Sequence, residues 1–152
     1  MRGGICGHGE TVITRSALEA RDVELTPDQV RAVQKAAGVR VPSRRIRLWR
    51  ANSGEAMFVD KVLGKHEFIT YAVGLTASGQ VKGIEIMDYR ETYGGQIRDA
   101  SWRDHFVGKS AADAVKLETD IPNISGATLS SRHVTDGVRR LLKTYEILQR
   151  QS

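Results

Sequence analysis

Cysteine is almost absent from the sequence, and this scarcity excludes two common ways of stabilising a small protein. Cys6 is the only cysteine among the 152 residues, so no disulfide can form within the chain. A structural zinc site of the CxxC type needs further thiolates. The tripeptide "CGH" at Cys6 is also shorter than the CxxCH signature of haem attachment. The fold is therefore expected to depend on its packed core alone.

Long apolar runs are absent as well. No stretch reaches about 18 consecutive apolar residues, the length that predicts a membrane-spanning helix. The N-terminal sequence "MRGGICGHGE" lacks the apolar segment of a signal peptide, so we expect neither feature within this chain. A hydrophobic content of 40% is typical of globular proteins. The length favours a single domain over residues 21–152, preceded by a flexible arm over residues 1–20.

Acidic residues are outnumbered by basic ones. The chain has 23 lysine and arginine residues against 18 aspartate and glutamate residues, which gives a net charge of +5. This excess favours an anionic partner, such as a phosphate-containing cofactor, an acidic protein, a membrane surface or a nucleic acid. Charge alone does not choose among them.

The first helix is predicted by its end signals. In "LTPDQVRAVQKAAG", Thr26 suits the N-cap, Pro27 suits the first helical position and Gln29 completes a capping box. Gly38 is a typical helix stop.

The middle of the chain changes to a strand pattern. Between residues 45 and 89, four β-branched and aromatic runs are separated by short turns, which predicts an antiparallel meander of about four strands. Helical patterns return at 102–106, at 110–117 and, as a long terminal helix, at 130–149. The fold class is therefore α+β, an antiparallel sheet packed with an N-terminal helix and a long C-terminal helix.

Several common site motifs are not completed. "VGKS" at Val107–Ser110 would need a glycine where Arg103 stands to form a phosphate-binding P-loop. The four histidines are scattered and form neither HxH nor HExxH. The sequence therefore predicts no metal site and gives no support to hydrolytic catalysis.

The stretch "SGATLSS" precedes the long terminal helix and concentrates small and hydroxyl residues. Gly126 permits close approach of the backbone, and hydroxyls stand at Ser125, Thr128, Ser130 and Ser131. The free N–H groups and the positive dipole end of the helix favour an anion such as phosphate at this turn. The alternative is simple N-capping by Thr128 or Ser130.

A second stretch, "ETYGGQIRDASWRDHFVGK", begins with Glu91 at a strand end and finishes with Lys109. The two stretches together, in this order, resemble the FMN-binding domain family. That family includes the flavinylated subunits of sodium-pumping quinone reductases and of the related Rnf electron-transport complexes. The resemblance extends over residues 45–149.

The resemblance implies FMN as the cofactor, joined by its phosphate to the hydroxyl of Thr128. Gly126 and Ala127 would form the turn that lets the phosphate approach, and the stretch after Glu91 would lie against the flavin. The implied cofactor-binding residues are Glu91, Thr92, Gly94, Gly95, Trp102, Lys109, Ser125, Gly126, Ala127, Thr128, Leu129 and Ser130.

The sequence departs from the family pattern at two places. Pro122 stands where the family has an aspartate that belongs to the recognition signal for the flavin transferase, with Asp120 and Asn123 on either side. The family's "PGLG" turn is replaced by residues 93–96, "YGGQ". The first departure concerns covalent attachment more than FMN binding.

The function that the resemblance implies is electron transfer by a carrier, rather than stand-alone catalysis. The implied partners are a flavin transferase and a redox protein or membrane electron-transport complex, and the implied location is extracytoplasmic, in the periplasm. We expect the basic residues Arg139, Arg140 and Lys143 of the terminal helix to form the docking face.

Two alternatives remain open from the sequence. The basic segment "RRIRLWR", with Trp49, permits a small nucleic-acid-binding module. A flavin-dependent oxidoreductase with its own substrate would use the same FMN.

Overall fold

A five-stranded antiparallel sheet lies at the centre of the computed structural model, which describes residues 18–91 and 95–150. The strands are neighbours in chain order. They are β1 (Leu18–Glu24), β2 (Arg45–Ala51), β3 (Ala56–Leu63), β4 (Phe68–Leu75) and β5 (Val81–Asp88). The helices are α1 (Pro27–Ala37), α2 (Ala100–Arg103) and α3 (Thr128–Arg150), with 3₁₀ turns at Gly95–Arg98 and Asp104–Phe106. The α+β class is confirmed.

The sheet has one strand more than the four predicted. β1 pairs antiparallel with β2 and begins inside the segment predicted as a flexible arm over residues 1–20, most of which lies outside the described residues. The sequence of this strand, "LEARDVE", is polar, and its pairing places opposite charges near one another. Asp22 lies 3.8 Å from Arg47, and Glu24 lies 3.6 Å from Arg44. Opposite charges across strands stabilise pairing modestly.

The capped helix α1 follows its sequence signals. The side chain of Thr26 accepts the N–H of Gln29 at 3.1 Å, and the side chain of Gln29 accepts the N–H of Thr26 at 2.8 Å. Gly38 ends the helix with a φ of +74°, which only glycine adopts without strain.

Helix α3 packs on one face of the sheet, and α1 packs against α3. The buried side chains of α3 include Val134, Val138, Leu141, Leu142 and Tyr145, which recur at the spacing of one helix face. Burying a side chain of this size contributes about 1.5–3 kcal/mol. The helix begins at Thr128, two residues before its predicted start.

The centre of α3 comes unusually close to the sheet at Gly137. A Cβ at this position would overlap the hydroxyl of Tyr71, so only glycine fits. Tyr71 donates a 2.8 Å hydrogen bond to Asp60, which also accepts from the guanidinium of Arg140. Burial, together with Asp60, raises the pKa of Tyr71 well above its ordinary value.

The predicted docking face on α3 is wrong, because its three basic side chains are used inside the fold. Arg140 is only 4% exposed. Arg139 donates to the carbonyls of Ala37 and Val115, both at 2.8 Å, and Lys143 donates to the carbonyl of Ala111. These basic side chains connect α3 to the end of α1, to β3 and to the loop that contains Ala111 and Val115.

The helix predicted over residues 110–117 is also wrong. This segment forms turns, and Val115 has a φ of +45°, which is incompatible with a right-handed helix. The carboxylate of Asp120 accepts the N–H of Val115 at 2.9 Å and that of Lys116 at 2.8 Å. A side chain thus takes the place of the helical acceptors.

Candidate functional site

A pocket of about 420 Å³ lies between the start of α3 and the turn that joins β3 to β4. Its lining residues come from three places in the sequence. They are Lys65 and His66 from the turn, Glu91 from the end of β5, and Gly126, Ala127, Thr128, Leu129 and Ser130 from the start of α3. The structure therefore brings Glu91 together with the predicted helix-start residues.

The wall formed by α3 is open for an anion. Gly126 has a φ of +83° with no atom within 4 Å of an added Cβ, so its backbone conformation is what requires glycine. The residue before the helix is Ala127, whose methyl group offers no oxygen to the first helical N–H groups. The positive end of the 23-residue helix is therefore left without a cap from that side chain.

The hydroxyls of this wall differ in access. Ser125 and Thr128 are exposed, whereas Ser130 is 4% exposed and Ser131 is fully buried. The hydroxyl of Ser131 donates to the carbonyl of Ala127 at 3.0 Å. Thr128 is therefore an exposed hydroxyl at the first position of the helix, and the N-capping role considered for it from sequence does not apply.

The opposite wall is a tight turn held by Glu91. One carboxylate oxygen of Glu91 accepts the N–H of His66 at 2.5 Å and that of Glu67 at 2.9 Å. The N–H of Gly64 closes the turn on the carbonyl of Glu67 at 2.8 Å. The N–H groups of Glu67 and His66 hold the pKa of Glu91 below its ordinary value of 4.5.

The two walls are also joined directly. A ring nitrogen of His133, on the second turn of α3, lies 2.5 Å from the carbonyl oxygen of Leu63 at the end of β3. This contact fixes the turn relative to the helix start.

The described residues of the segment after Glu91 are not among those that line the pocket. Thr92 and Gly94 fall outside the described residues, and Gly95 is exposed at the start of a 3₁₀ turn. Trp102 is 5% exposed, packs edge-on against Phe106 at 5.1 Å and is not among the pocket-lining side chains. Its indole N–H donates to the carbonyl of Pro122 at 2.8 Å.

Lys109 is likewise separate from the pocket lining. Its ammonium lies 3.7 Å from the carboxylate of Asp120. Burial alone would raise the pKa of Asp120, but the N–H groups of Lys116 and Val115 and the charge of Lys109 hold it below its ordinary value of 3.8. Lys109 thus supports the loop that leads to the helix start.

Sequence reasoning missed Lys65 and His66 as pocket residues. The turn itself was recognisable from "GK" between two strand patterns. Only the packing of α3 on the sheet places that turn beside Thr128, and no local signal carries this information.

The geometry agrees with comparisons to known proteins. The sequence profile of the FMN-binding domain matches residues 64–143, just over half of the 152-residue chain. The chain belongs to the FMN-binding domain family. The matched region of this FMN-binding domain includes both pocket walls, and the family resemblance seen in the two sequence stretches is confirmed.

Two relatives extend the comparison beyond the matched region. The protein is 26% identical over 156 residues to one of the subunits of the Na⁺-translocating ferredoxin:NAD⁺ oxidoreductase complex of Acetobacterium woodii, covering 92% of this chain and 75% of that protein. Its fold is similar to the crystal structure of NqrC from Shewanella oneidensis, with a TM-score of 0.58 at 16% identity. That alignment covers 93% of this chain and 71% of the other.

The residues of the pocket fit FMN. Its volume is within the range of about 300–1,000 Å³ that small-molecule sites occupy. The helix start and Lys65 are suited to a phosphate, and the side chain of Leu129, 43% exposed, offers an apolar surface beside them.

The described part of the chain has neither a membrane-spanning helix nor a metal-binding cluster. Across residues 18–91 and 95–150, no helix combines the length and apolar character needed to traverse a bilayer. Within the same residues, no three histidine, cysteine, aspartate or glutamate side chains are grouped so as to hold a metal ion.

Proposed function

We propose that this protein is an electron carrier that holds FMN in the pocket between the start of α3 and the β3–β4 turn. One observation carries the proposal. An exposed Thr128 stands at the first position of α3 and lines the same pocket as Lys65, in a member of the FMN-binding domain family. FMN, when bound, accepts and passes on one or two electrons, and the protein supplies binding and orientation.

The protein's own residues divide this work. The first N–H groups of α3 and its dipole bind the phosphate, and the positive φ of Gly126 turns the chain out of its way. Lys65 supplies a compensating positive charge from the other wall. Leu129 offers the apolar contact that an aromatic ring system needs on the open side of the pocket.

We further propose that the phosphate is joined covalently to Thr128. Forming a phosphoester in water requires an activated donor, so a flavin transferase would use a phosphoanhydride of FMN. The bond from the hydroxyl oxygen of Thr128 to phosphorus forms as the anhydride bond breaks. The leaving group departs with the electron pair, and the hydroxyl proton passes to a base. Access favours Thr128 over Ser130 and Ser131, which are buried, and the position of Thr128 at the start of α3 favours it over the exposed Ser125.

Pro122 bears on this attachment because it replaces the aspartate of the family motif. Its carbonyl is held by Trp102, so the loop before Ser125 keeps a defined path without that aspartate. We propose that this fixed path presents Thr128 to the transferase.

Mass spectrometry tests both the presence of FMN and its covalent attachment to Thr128. After co-expression with a flavin transferase, the intact mass should increase by one FMN less one water. Trypsin releases Thr128 in the peptide from Leu117 to Arg132, which also contains Ser125 and Ser130, so fragmentation must locate the flavin. Thr128→Ala should remove the covalent flavin and retain the fold. Flavin on Ser130, or a protein that never takes up FMN, would contradict the assignment.

The partners and location are proposed from the relatives. One relative is named as part of a Na⁺-translocating oxidoreductase complex. By analogy, we propose that this carrier exchanges electrons with a redox protein or a membrane electron-transport complex, outside the cytoplasm. The nucleic-acid alternative loses support because Arg44 and Arg47 of the basic segment face acidic residues of β1.

A further inference from the structure

The carboxylate of Glu91 occupies a position that the family resemblance does not explain. The resemblance places this residue against the flavin. In the structure its oxygen Oε2 is bonded instead to two backbone N–H groups of the β3–β4 turn, those of His66 at 2.5 Å and Glu67 at 2.9 Å. Glu91 follows β5, so this contact links the segment after β5 to the β3–β4 turn.

Gly64 shows that the turn is shaped around this carboxylate. A Cβ added at Gly64 would lie 2.7 Å from Oε2 of Glu91, closer than real Cβ atoms approach a neighbour. The φ of Gly64 is not in the left-handed region, so backbone conformation does not require glycine here. The carboxylate is the nearest group to the space that the missing side chain leaves, and the carbonyl oxygen of Glu67 and Cδ1 of Ile69 follow at 3.2 Å.

Besides Glu91, the turn is held by the bond from the N–H of Gly64 to the carbonyl of Glu67 and by the contact of His133 with the carbonyl of Leu63. Lys65, His66 and Glu67 are all exposed. Without an acceptor for its N–H groups, such a turn adopts alternative conformations, and its side chains take a wider range of orientations. Lys65 is a lysine of the turn that lines the same pocket as the start of α3, where its ammonium group can bind a phosphate.

We propose that Glu91 is a positioning residue that acts on the flavin phosphate through Lys65, by fixing the β3–β4 turn. This inference rests on the proposed function. It differs from a direct contact between Glu91 and the flavin ring, because its effect depends on the phosphate and on the lysine.

The test compares FMN with riboflavin, which lacks the phosphate, by titrating flavin fluorescence with the full chain produced without a transferase. Glu91→Ala and Lys65→Ala should each weaken FMN binding by about tenfold, as expected for a charge-assisted hydrogen bond. Riboflavin binding should not change. The double variant should bind FMN no more weakly than Lys65→Ala alone.

Two further variants separate positioning from loss of the fold. Glu91→Gln keeps an acceptor oxygen and should recover part of the FMN affinity. Gly64→Ala keeps Glu91 but fills its place, and should reproduce the loss seen in Glu91→Ala. Glu19→Gln is the control, an exposed glutamate on β1 at the far edge of the sheet. Each variant is checked for an unchanged circular dichroism spectrum.

The outcomes distinguish two kinds of failure. A wild-type chain that binds neither flavin overturns the proposed function, and this inference with it. A wild-type chain that binds FMN, with losses that are additive in the double variant or equal for riboflavin, overturns the positioning role alone.

Discussion

The indole N–H of Trp102 donates a 2.8 Å hydrogen bond to the carbonyl oxygen of Pro122. Trp102 belongs to one of the two sequence stretches that indicated the family, and Pro122 lies three residues before the other. The bond therefore joins the stretch after β5 to the loop before α3. Trp102 thereby supports the part of the chain that leads to Thr128.

Trp102→Phe should test this support. The aromatic packing on Phe106 is largely kept, but the half-buried hydrogen bond to the carbonyl of Pro122 is lost, and a bond of this kind contributes about 0.5–1.5 kcal/mol. The free energy of unfolding from urea titration should fall by this amount, and covalent flavin incorporation should fall too. Trp49→Phe on β2 is the control. Equal effects from both would argue against a special role for Trp102.

Gly137→Ala should destabilise the protein although alanine is the better helix former. In an exposed helix this change stabilises by about 1 kcal/mol. Here the added methyl overlaps the hydroxyl of Tyr71, and overpacking of this kind costs about 1–3 kcal/mol. Thermal unfolding measures the change. The penalty should shrink in a Tyr71→Phe background, and a rise in stability would disprove the close approach.

Arg140→Ala should be strongly destabilising, by about 3–5 kcal/mol, because it leaves the carboxylate of Asp60 without its buried partner. Adding Asp60→Asn should restore part of the loss. Arg150→Ala removes an exposed pair with Glu146 and is the matched control, with an expected change of at most about 1 kcal/mol. Similar effects from Arg140 and Arg150 would contradict the structural role of Arg140.

Stability should fall in acid through Glu91 and Asp120. Both carboxyls have a pKa that is lower in the folded protein than the ordinary values of 4.5 and 3.8. Their contribution is therefore complete above those values and is lost as pH falls through the lower folded values. Urea midpoints between pH 7 and the acid range should show the decline. Glu91→Gln and Asp120→Asn should each flatten it, and unchanged slopes would contradict the assignment.

Much of the fold was predictable because its signals are local. Residues that are close together in the chain are enough to predict the cap of α1, the four strands β2–β5 and the apolar face of α3. β1 escaped prediction because its pairing rests on charges supplied by β2, such as Arg47 opposite Asp22. The composition of residues 110–117 is typical of a helix, but the carboxylate of Asp120 accepts backbone N–H groups of this segment and stabilises a non-helical conformation.

The candidate site was predictable on one side only. The helix start at Thr128 follows from a contiguous motif, but Lys65 reaches the pocket through the packing of α3 on the sheet. Arg140 looked like a surface cation beside Arg139. Arg140 lies three residues after Gly137, on the side of α3 that faces the sheet. Its burial can be recognised only when the position of the sheet is known.

The bond between His133 and the carbonyl of Leu63 also limits how much the pocket can change shape. With the helix and the hairpin joined at this point, and the turn held by Glu91, the two walls form one rigid frame. Under the proposed function, the protein part of this frame would rearrange little when the charge of its occupant changes. The rate of exchange would then be governed by how closely a partner can approach the open side beside Leu129.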